Sequence, residues 1–600
     1  MIDLPTAVEP RQQIEARLAS RRAEAARGER LDRWIAFARL AAFAATVGLA
    51  WLGFGAHRLS AAWLLAPAAG YAALAALHER VLRGRERARR AVSHHEAALA
   101  RLGGRWQGRG TPGDRFTSED HPYAADLDVF GRGSLFERLC VARTYPGEER
   151  LASWLLAPST PEELRARQGA VRALAPRLLL REDLAVLGED VRAAVDAAAL
   201  GRWGAAPPLL PGWLAPAAWV LAAASLAGGA AWALGGGPLL LAAAALASWG
   251  LARAARGEVA RVLGAVTRPA RELEVLSLLL ARLEREPPAG DPRLVALLSA
   301  IAGPPRASAR IARLARHVAR LEWGKNQFFA PFAFLLQWGP LHAVAVERWR
   351  RANGAGLAAW LDAVADLEAL SSLAGWSFER PDATFPDVVT AEGGGAWLEG
   401  EALRHPLLDP CVPNDVRLGA GGPRALLVSG SNMSGKSTYL RTVGANLVLA
   451  LAGAPVPAAR LRLSPVALGA TLRIQDSLQA GRSRFYAEIT RLKALHDLAA
   501  GPVPLLFLLD ELLHGTNSHD RRVGAEAVLR ALIGRGAAGI VTTHDLALTE
   551  LAGTAPGAVA NAHFEDQVRD GEIAFDYRLR PGVVAHSNAL ALMRAVGLEV

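Results

Sequence analysis

Nine residues, Gly430-Ser431-Asn432-Met433-Ser434-Gly435-Lys436-Ser437-Thr438, follow the apolar run Ala425-Leu426-Leu427-Val428 and precede the helix-like Tyr439-Leu440-Arg441-Thr442-Val443. Strand, glycine-bounded loop and helix in that order match G-x-x-x-x-G-K-[ST], which places this part of the chain in a parallel α/β sheet built around the loop. The glycines let backbone N–H groups turn inward and form an anion nest at a helix N-terminus. Lys436 brings positive charge to the outer phosphates of a nucleotide, and the Ser437 hydroxyl is a hard oxygen ligand for Mg²⁺.

Such a loop needs a carboxylate for the metal, a group that handles water and a contact that senses the terminal phosphate. Pro504-Leu505-Leu506-Phe507-Leu508-Leu509 reads as a parallel strand apolar on both faces, and it ends in Asp510-Glu511. From that tip Asp510 reaches the Mg²⁺ shell, and Glu511 accepts a proton from the attacking water or orients it. Ala538-Gly539-Ile540-Val541-Thr542-Thr543 is a second β-rich run. His544 follows at its carboxyl end, where chemistry sits in open α/β sheets. Two polar segments lie between these strands: Gly515-Thr516-Asn517-Ser518-His519-Asp520, and earlier Gly481-Arg482-Ser483-Arg484-Phe485-Tyr486-Ala487-Glu488. Read alone, either is an ordinary polar turn.

Taken in order, these elements resemble one family. Phosphate loop with its internal Asn432-Met433, Ser-x-Phe-x-x-Glu segment, Asp-Glu strand, Gly-Thr-x-x-x-Asp loop and strand-Thr-His look like the ATPase domain of the MutS family, the mismatch-repair branch of ABC-type ATPases. Arg404-His405-Pro406-Leu407 with Val412-Pro413-Asn414 resembles the segment that opens that domain. Leu127-Asp128-Val129-Phe130-Gly131, Ser134-Leu135 and Arg167-Gln168 resemble the family's helical core and lever. The resemblance covers residues 120–600 with a gap near 205–255. It implies ATP and Mg²⁺ as bound groups, with Lys436 and Ser437 holding phosphates and metal. Asp510 is then the metal carboxylate, Glu511 the catalytic base and His544 the γ-phosphate sensor. Ser483 matches the signature serine that reaches a partner subunit's nucleotide, and Asp520 sits in the loop that couples the two sites. A homodimer with composite sites is therefore expected. Ser431 and Ser434 stand where Pro and Gly are commoner, Arg484 where Thr is usual and Arg521 where Gly is usual. None of these departures removes a ligand.

Upstream, apolar segments dominate. Residues 40–56 and 59–77 are uncharged runs separated by His57-Arg58, each near the length needed to span hydrocarbon. A second pair covers 214–234 and 238–252 around Gly235-Gly236-Gly237. Arg21, Arg22, Arg27, Arg30 and Arg33 precede the first pair, and Arg80, Arg83, Arg85 and Arg87 follow it. By the positive-inside rule both ends of each hairpin face the cytoplasm, which keeps the ATPase with ATP in a multi-pass protein of the inner (cytoplasmic) membrane. The alternative is a pair of buried Ala-rich hairpins in a soluble domain. Residues 328–346 form a fifth apolar run, interrupted by Gln337, Pro340 and His342, and read as a core helix.

The formal charge of +10 is carried almost wholly by arginine, since Lys325, Lys436 and Lys493 are the only lysines. That bias reflects composition and the flanks of apolar segments rather than a nucleic-acid groove. Two cysteines, Cys140 and Cys411, without metal-ligand spacing exclude a disulfide scaffold or zinc module. The expected fold is multidomain, α plus α/β. It comprises a charged cytosolic helix (1–33), a transmembrane hairpin (34–78), a helical core in two parts (79–205 and 255–395), a second transmembrane hairpin (206–254) and the ABC-type ATPase domain (396–600). No mismatch-reading segment is visible before residue 120, so DNA contact, if made, is expected through the backbone. Two competing classes are a membrane-anchored, nucleotide-gated scaffold that gates protein partners without binding DNA, and an ABC transporter component. Against the transporter, Leu-Ser-Gly-Gly-Gln is absent between the phosphate loop and Asp510.

Overall fold

The computed structural model describes residues 9–55, 60–187, 197–267, 270–287, 290–389, 394–431, 433–473, 484–513, 517–544, 546–569 and 572–584. The chain divides into two compact units, residues 1–106 with 179–190, and residues 107–178 with 191–600.

The first unit is built on two long helices, Pro10–Ala50 and Leu65–Leu102. Polar rungs fix their pairing as antiparallel. Arg22 meets Glu96 at 2.7 Å, Arg89 meets Glu29 at 2.6 Å, Asp32 accepts from Arg85, and Arg39 lies 2.7 Å from His78 Nδ1. His78 Nε2 in turn lies 2.6 Å from Asp32 Oδ1, so the ring bridges an arginine and a carboxylate. Beyond Arg39 and His78 the ladder stops and the two helices turn apolar. The charged leader and the first apolar run as far as Ala50 thus form a single helix, followed by a π turn over Trp51–Gly55. The second arm, expected over 59–77, is shared between a short 3₁₀ turn, Ala61–Leu64, and a helix that runs on through charged residues to Leu102.

In the second unit, threonine and aspartate caps start three of the helices where proline follows. Thr144 accepts from Gly147 N, Thr160 from Glu163 N and Asp291 from Leu294 N. The central element is Trp338–Glu379, about 63 Å long at about 1.5 Å per residue. Its C-terminal half is buried on nearly every face, so even its carboxylates need partners. Glu368 accepts from the N–H groups of Arg143 and Thr144 and from the Thr144 hydroxyl, and burial pushes its carboxyl up. Glu379 pairs with buried Arg138 at 2.8 Å.

One correction concerns the apolar runs. Residues 328–346 are not a core helix: a short helix, Ala330–Leu335, ends before Gln337 takes φ +54°, and a new helix starts at Trp338. Phe328, the first aromatic of that run, is 89% exposed. Among the described residues, Pro10–Ala50 and Leu214–Ala233 are long and apolar enough to cross a membrane. A third span exists if Leu239–Ala254 and Arg256–Thr267, bent by 67°, count as one.

The C-terminal part carries two sheets. Strands β1 (Asp387–Val388), β2 (Leu398–Leu403), β3 (Asn414–Leu418) and β5 (Arg460–Leu463) form a small sheet in the order β1-β5-β2-β3. Strands β4 (Ala425–Ser429), β6 (Ala467–Thr471), β7 (Leu505–Asp510), β8 (Ala538–Thr543), β9 (Val559–Arg569) and β10 (Glu572–Pro581) form the main sheet in the order β10-β9-β4-β8-β7-β6. All its pairings are parallel except β9 with β10. Leu505 to Leu509 are fully buried, as a strand covered on both faces requires.

Candidate nucleotide-binding site

Sheet order decides the site. Strand β8 lies between β4 and β7, with Ser429 opposite Thr543 and Asp510 opposite Thr542. The phosphate loop after β4, His544 after β8 and Asp510-Glu511 at the end of β7 therefore share one carboxyl edge. The loop and the acidic pair each lie one strand spacing, about 4.8 Å, from the end of β8, on opposite sides of it.

The loop turns on its glycines. Gly430 has φ +150°, and a Cβ there would sit 2.8 Å from Ser434 Oγ and 3.0 Å from the Phe564 carbonyl. Gly435 has φ +106° and opens the helix Lys436–Ala452. Met433 also takes a positive φ and projects into solvent. Ser434 Oγ donates to the Ser431 carbonyl at 2.8 Å, closing the loop on itself. Lys436 is buried, and its Nζ donates to the carbonyls of Gly430 and Ser431 at 2.8 and 2.7 Å. Ser437 and Thr438, on the first turn of the helix, are exposed.

Across the edge, Thr542 holds the acidic pair. Its hydroxyl donates to Asp510 Oδ1, and Glu511 N donates to the Thr542 carbonyl and hydroxyl oxygens, both at 3.2 Å. Glu511 and Leu513 both sit at positive φ, a tight reversal for side chains other than glycine. Buried Glu488 steadies that reversal by accepting from Leu513 N at 2.5 Å. Glu511 Oε1 lies 3.5 Å from His544 Nδ1, so the expected base and the expected phosphate sensor are neighbours.

Asp520 lies in the first turn of the helix Ser518–Gly534. There it accepts from Asn517 Nδ2 at 2.7 Å and stays exposed. Asn432 and Ser483 lie outside the described residues, as do Gly515 and Thr516 of the coupling loop. Lys436, Ser437, Asp510, Glu511 and His544 are brought to one edge. The structure gives no contact that tests the reach of Ser483 or Asp520.

Two groups escape sequence reasoning, Tyr577 and Asp126. Tyr577 sits in β10 at φ +53°, and a Cβ on Gly435 would come within 3.1 Å of its ring. Asn414 fixes it there, donating from Nδ2 to the Tyr577 carbonyl at 2.9 Å and accepting from Leu579 N at 2.7 Å. Nothing in its local pattern marks it. Asp126 accepts from Leu472 N, Arg473 N and Arg491 at 2.7, 2.8 and 2.8 Å. It thereby ties the loop before the first core helix to the end of β6, and its neighbour Leu127 packs on the phosphate-loop helix at Gly444. Burial and the nearby Arg441 push His405 down to about 4. The neutral ring then accepts from Leu407 N at 3.1 Å.

Comparison with known proteins agrees with this geometry. Residues 426–599 match MutS domain V. A DNA mismatch repair protein MutS 2 of Haloarcula marismortui is 34% identical over 230 residues, covering 34% of this chain and 24% of that protein. DNA mismatch repair protein MSH3 of Coccidioides immitis is 34% identical over 254 residues, 40% of this chain and 22% of its own length. DNA mismatch repair protein MSH6 of Arabidopsis thaliana is 32% identical over 270 residues, 42% and 20% respectively. The chain thus spans a quarter or less of the length of these curated relatives. Over the stretch that they cover, this chain is similar to the MutS family through its domain V.

Proposed function

We propose that this chain is a membrane-tethered, MutS-like ATPase that binds and hydrolyses ATP between two copies of itself and couples that cycle to DNA binding. The observation that carries the reading is the shared carboxyl edge of β4, β8 and β7, with Lys436, Ser437, Asp510, Glu511 and His544 along it. The cradle fits a triphosphate: a side chain at Gly430 would collide with the loop itself, and the exposed Ser437 hydroxyl is free to turn outward. Ser437 and Asp510 would hold Mg²⁺, which supplies Lewis-acid polarisation of phosphoryl oxygens when bound.

The chain's own residues do the rest. Lys436 exchanges its two loop carbonyls for phosphate oxygens. Glu511 takes the proton of the attacking water, its backbone held by Thr542 and its turn by Glu488. His544 hydrogen-bonds the terminal phosphate while its other nitrogen faces Glu511. Ser483 and Asp520 act across the dimer, so that each site is completed by the second copy. The relatives are mismatch-repair proteins by name; here the nucleic-acid contact is read as backbone-dominated and steeply salt-dependent.

Membrane tethering rests on the exposed face of the apolar helices. Phe43, Val47, Trp51 and Phe54 are exposed beyond the last polar rung at Arg39. On Leu214–Ala233 the exposed side chains include Trp219, Val220, Leu226 and Trp232. Trp213 and Trp232 are separated by about 28 Å along the helix axis, close to the thickness of bilayer hydrocarbon. Tryptophan favours both edges of that layer.

The test is ATP turnover of the detergent-solubilised protein with and without duplex DNA, alongside a salt titration of DNA binding. Stimulation by DNA, with affinity falling steeply as salt rises, supports the reading. Nucleotide hydrolysis that ignores DNA, with no binding at low salt, replaces it with the nucleotide-gated scaffold.

A further inference from the structure

The chain between Ala307–Trp323 and Trp338–Glu379 exposes more aromatic surface than a loop of a water-soluble domain would carry. Trp323, Phe328, Phe332 and Phe334 are all exposed, Phe328 and Trp323 by 89% and 62%. They do not form a disordered tip. Trp338 Nε1 donates to the Arg320 carbonyl at 2.9 Å, Phe329 packs edge-on against Trp338 with centroids 5.2 Å apart, and Phe328 N donates to Asn326 Oδ1 at 2.9 Å. The reversal is held rigidly while its apolar side chains point away from it. Single exposed aromatics need no explanation, but a fixed cluster of four does.

Two further observations indicate what covers it. The short helix Ala330–Leu335 packs against both Leu214–Ala233 and Leu239–Ala254, so the aromatic cluster continues the exposed apolar surface of that hairpin. The helix leading to it is amphipathic: Ile311, Leu314 and Val318 are buried, while Arg313, Arg316 and Arg320 are exposed on another face. Among the described residues these three arginines have no carboxylate partner. Lys325, which follows at the tip, pairs only with exposed Glu322 at 2.6 Å. Aromatics at a tip with basic groups one turn behind suit the boundary of a bilayer that contains anionic lipid, where rings enter the acyl edge and cations meet phosphates. Duplex DNA matches the arginines but gives Phe328 and Phe332 nothing to bury against.

We propose that residues 320–336 form a re-entrant lipid contact beside the second hairpin, with Trp323, Phe328, Phe332 and Phe334 immersed in the bilayer and Arg320 and Lys325 on anionic phospholipid headgroups. The chain enters along Ala307–Trp323 and leaves along Trp338–Glu379, so the contact adds no crossing and leaves the ATPase on its original side. This rests on the tethering read above, and it places a lipid-anchored turn directly at the start of the long helix that leads to the ATPase domain.

The test uses full-length protein with Cys140 and Cys411 replaced by serine, reconstituted into phosphatidylcholine–phosphatidylglycerol vesicles. A polarity-sensitive dye is placed singly at Phe332→Cys, Val220→Cys or the exposed Ser153→Cys, with ATP binding checked for each. Brominated acyl chains should quench the dye at 332 and 220 and spare it at 153. Arg320→Glu with Lys325→Glu should abolish quenching at 332 while leaving it at 220. Quenching at 220 with a water-exposed dye at 332 overturns the re-entrant contact and leaves the tether standing. A water-exposed dye at both positions removes both. A spectral change at 332 on adding duplex DNA, with no lipid quenching, assigns the patch to nucleic acid and overturns the proposal.

Discussion

Strand β7 and the helix Leu214–Ala233 both carry uncharged apolar runs, and they dispose of that surface in opposite ways. Leu505 to Leu509 are fully buried, with β6 and β8 on either side and helices on both faces. After a buried Leu214 at its start, the helix buries a narrow row of small residues, Ala218, Ala222, Ser225 and Gly228, and leaves Trp219, Val220 and Leu226 outside. Small residues on the contact face and large ones on the outer face invert the ordinary amphipathic rule. That inversion is what the proposed lipid-facing position of the pair requires.

Equal truncations in the two elements should therefore have unequal effects. Leu508→Ala should cost about 2–5 kcal/mol of ATPase-domain stability, whereas Leu226→Ala should leave denaturant unfolding of that domain unchanged. Equal losses would break the contrast. Lys436→Ala should reduce ATP turnover about 10²–10³-fold, by analogy with removal of other charge-stabilising donors. Trp219→Ala should leave turnover as it is, and a steady-state ATPase assay checks both. Leu226→Arg places a charge on the outer face at about 2.5–3.5 kcal/mol. It should release protein from carbonate-washed membranes, and retention equal to wild type would contradict a lipid-facing position. The smallest effect concerns Asp126. Asp126→Asn keeps one acceptor oxygen for Leu472 N and Arg473 N but loses the bond to Arg491, which should cost about 1–3 kcal/mol and reduce the nucleotide response of the helical core more than its stability.

The same contrast explains what could be read from the chain alone. The phosphate loop, the Asp510-Glu511 strand and the strand before His544 were legible because each is a short pattern dictated by local backbone chemistry, and β4, β7 and β8 stand where those patterns place them. Sheet order was not, since nothing in a strand's composition says that β8 lies between β4 and β7. Tyr577 and Asp126 were hidden because each acts on residues more than a hundred positions away. The run 328–346 misled because apolar content suggests a core. Gln337 and the caged turn beside Trp338 instead divide it and turn its phenylalanines outward.

The central claim is that the edge carrying Lys436, Asp510 and Glu511 becomes a complete site only when two copies meet around ATP. The most direct test is the mass of the Glu511→Gln protein in detergent, by light scattering, with and without Mg-ATP. The account predicts a dimer that appears only with Mg-ATP, retains nucleotide and is lost when Lys436→Ala is added. A Glu511→Gln protein that holds ATP yet keeps the same mass would contradict it.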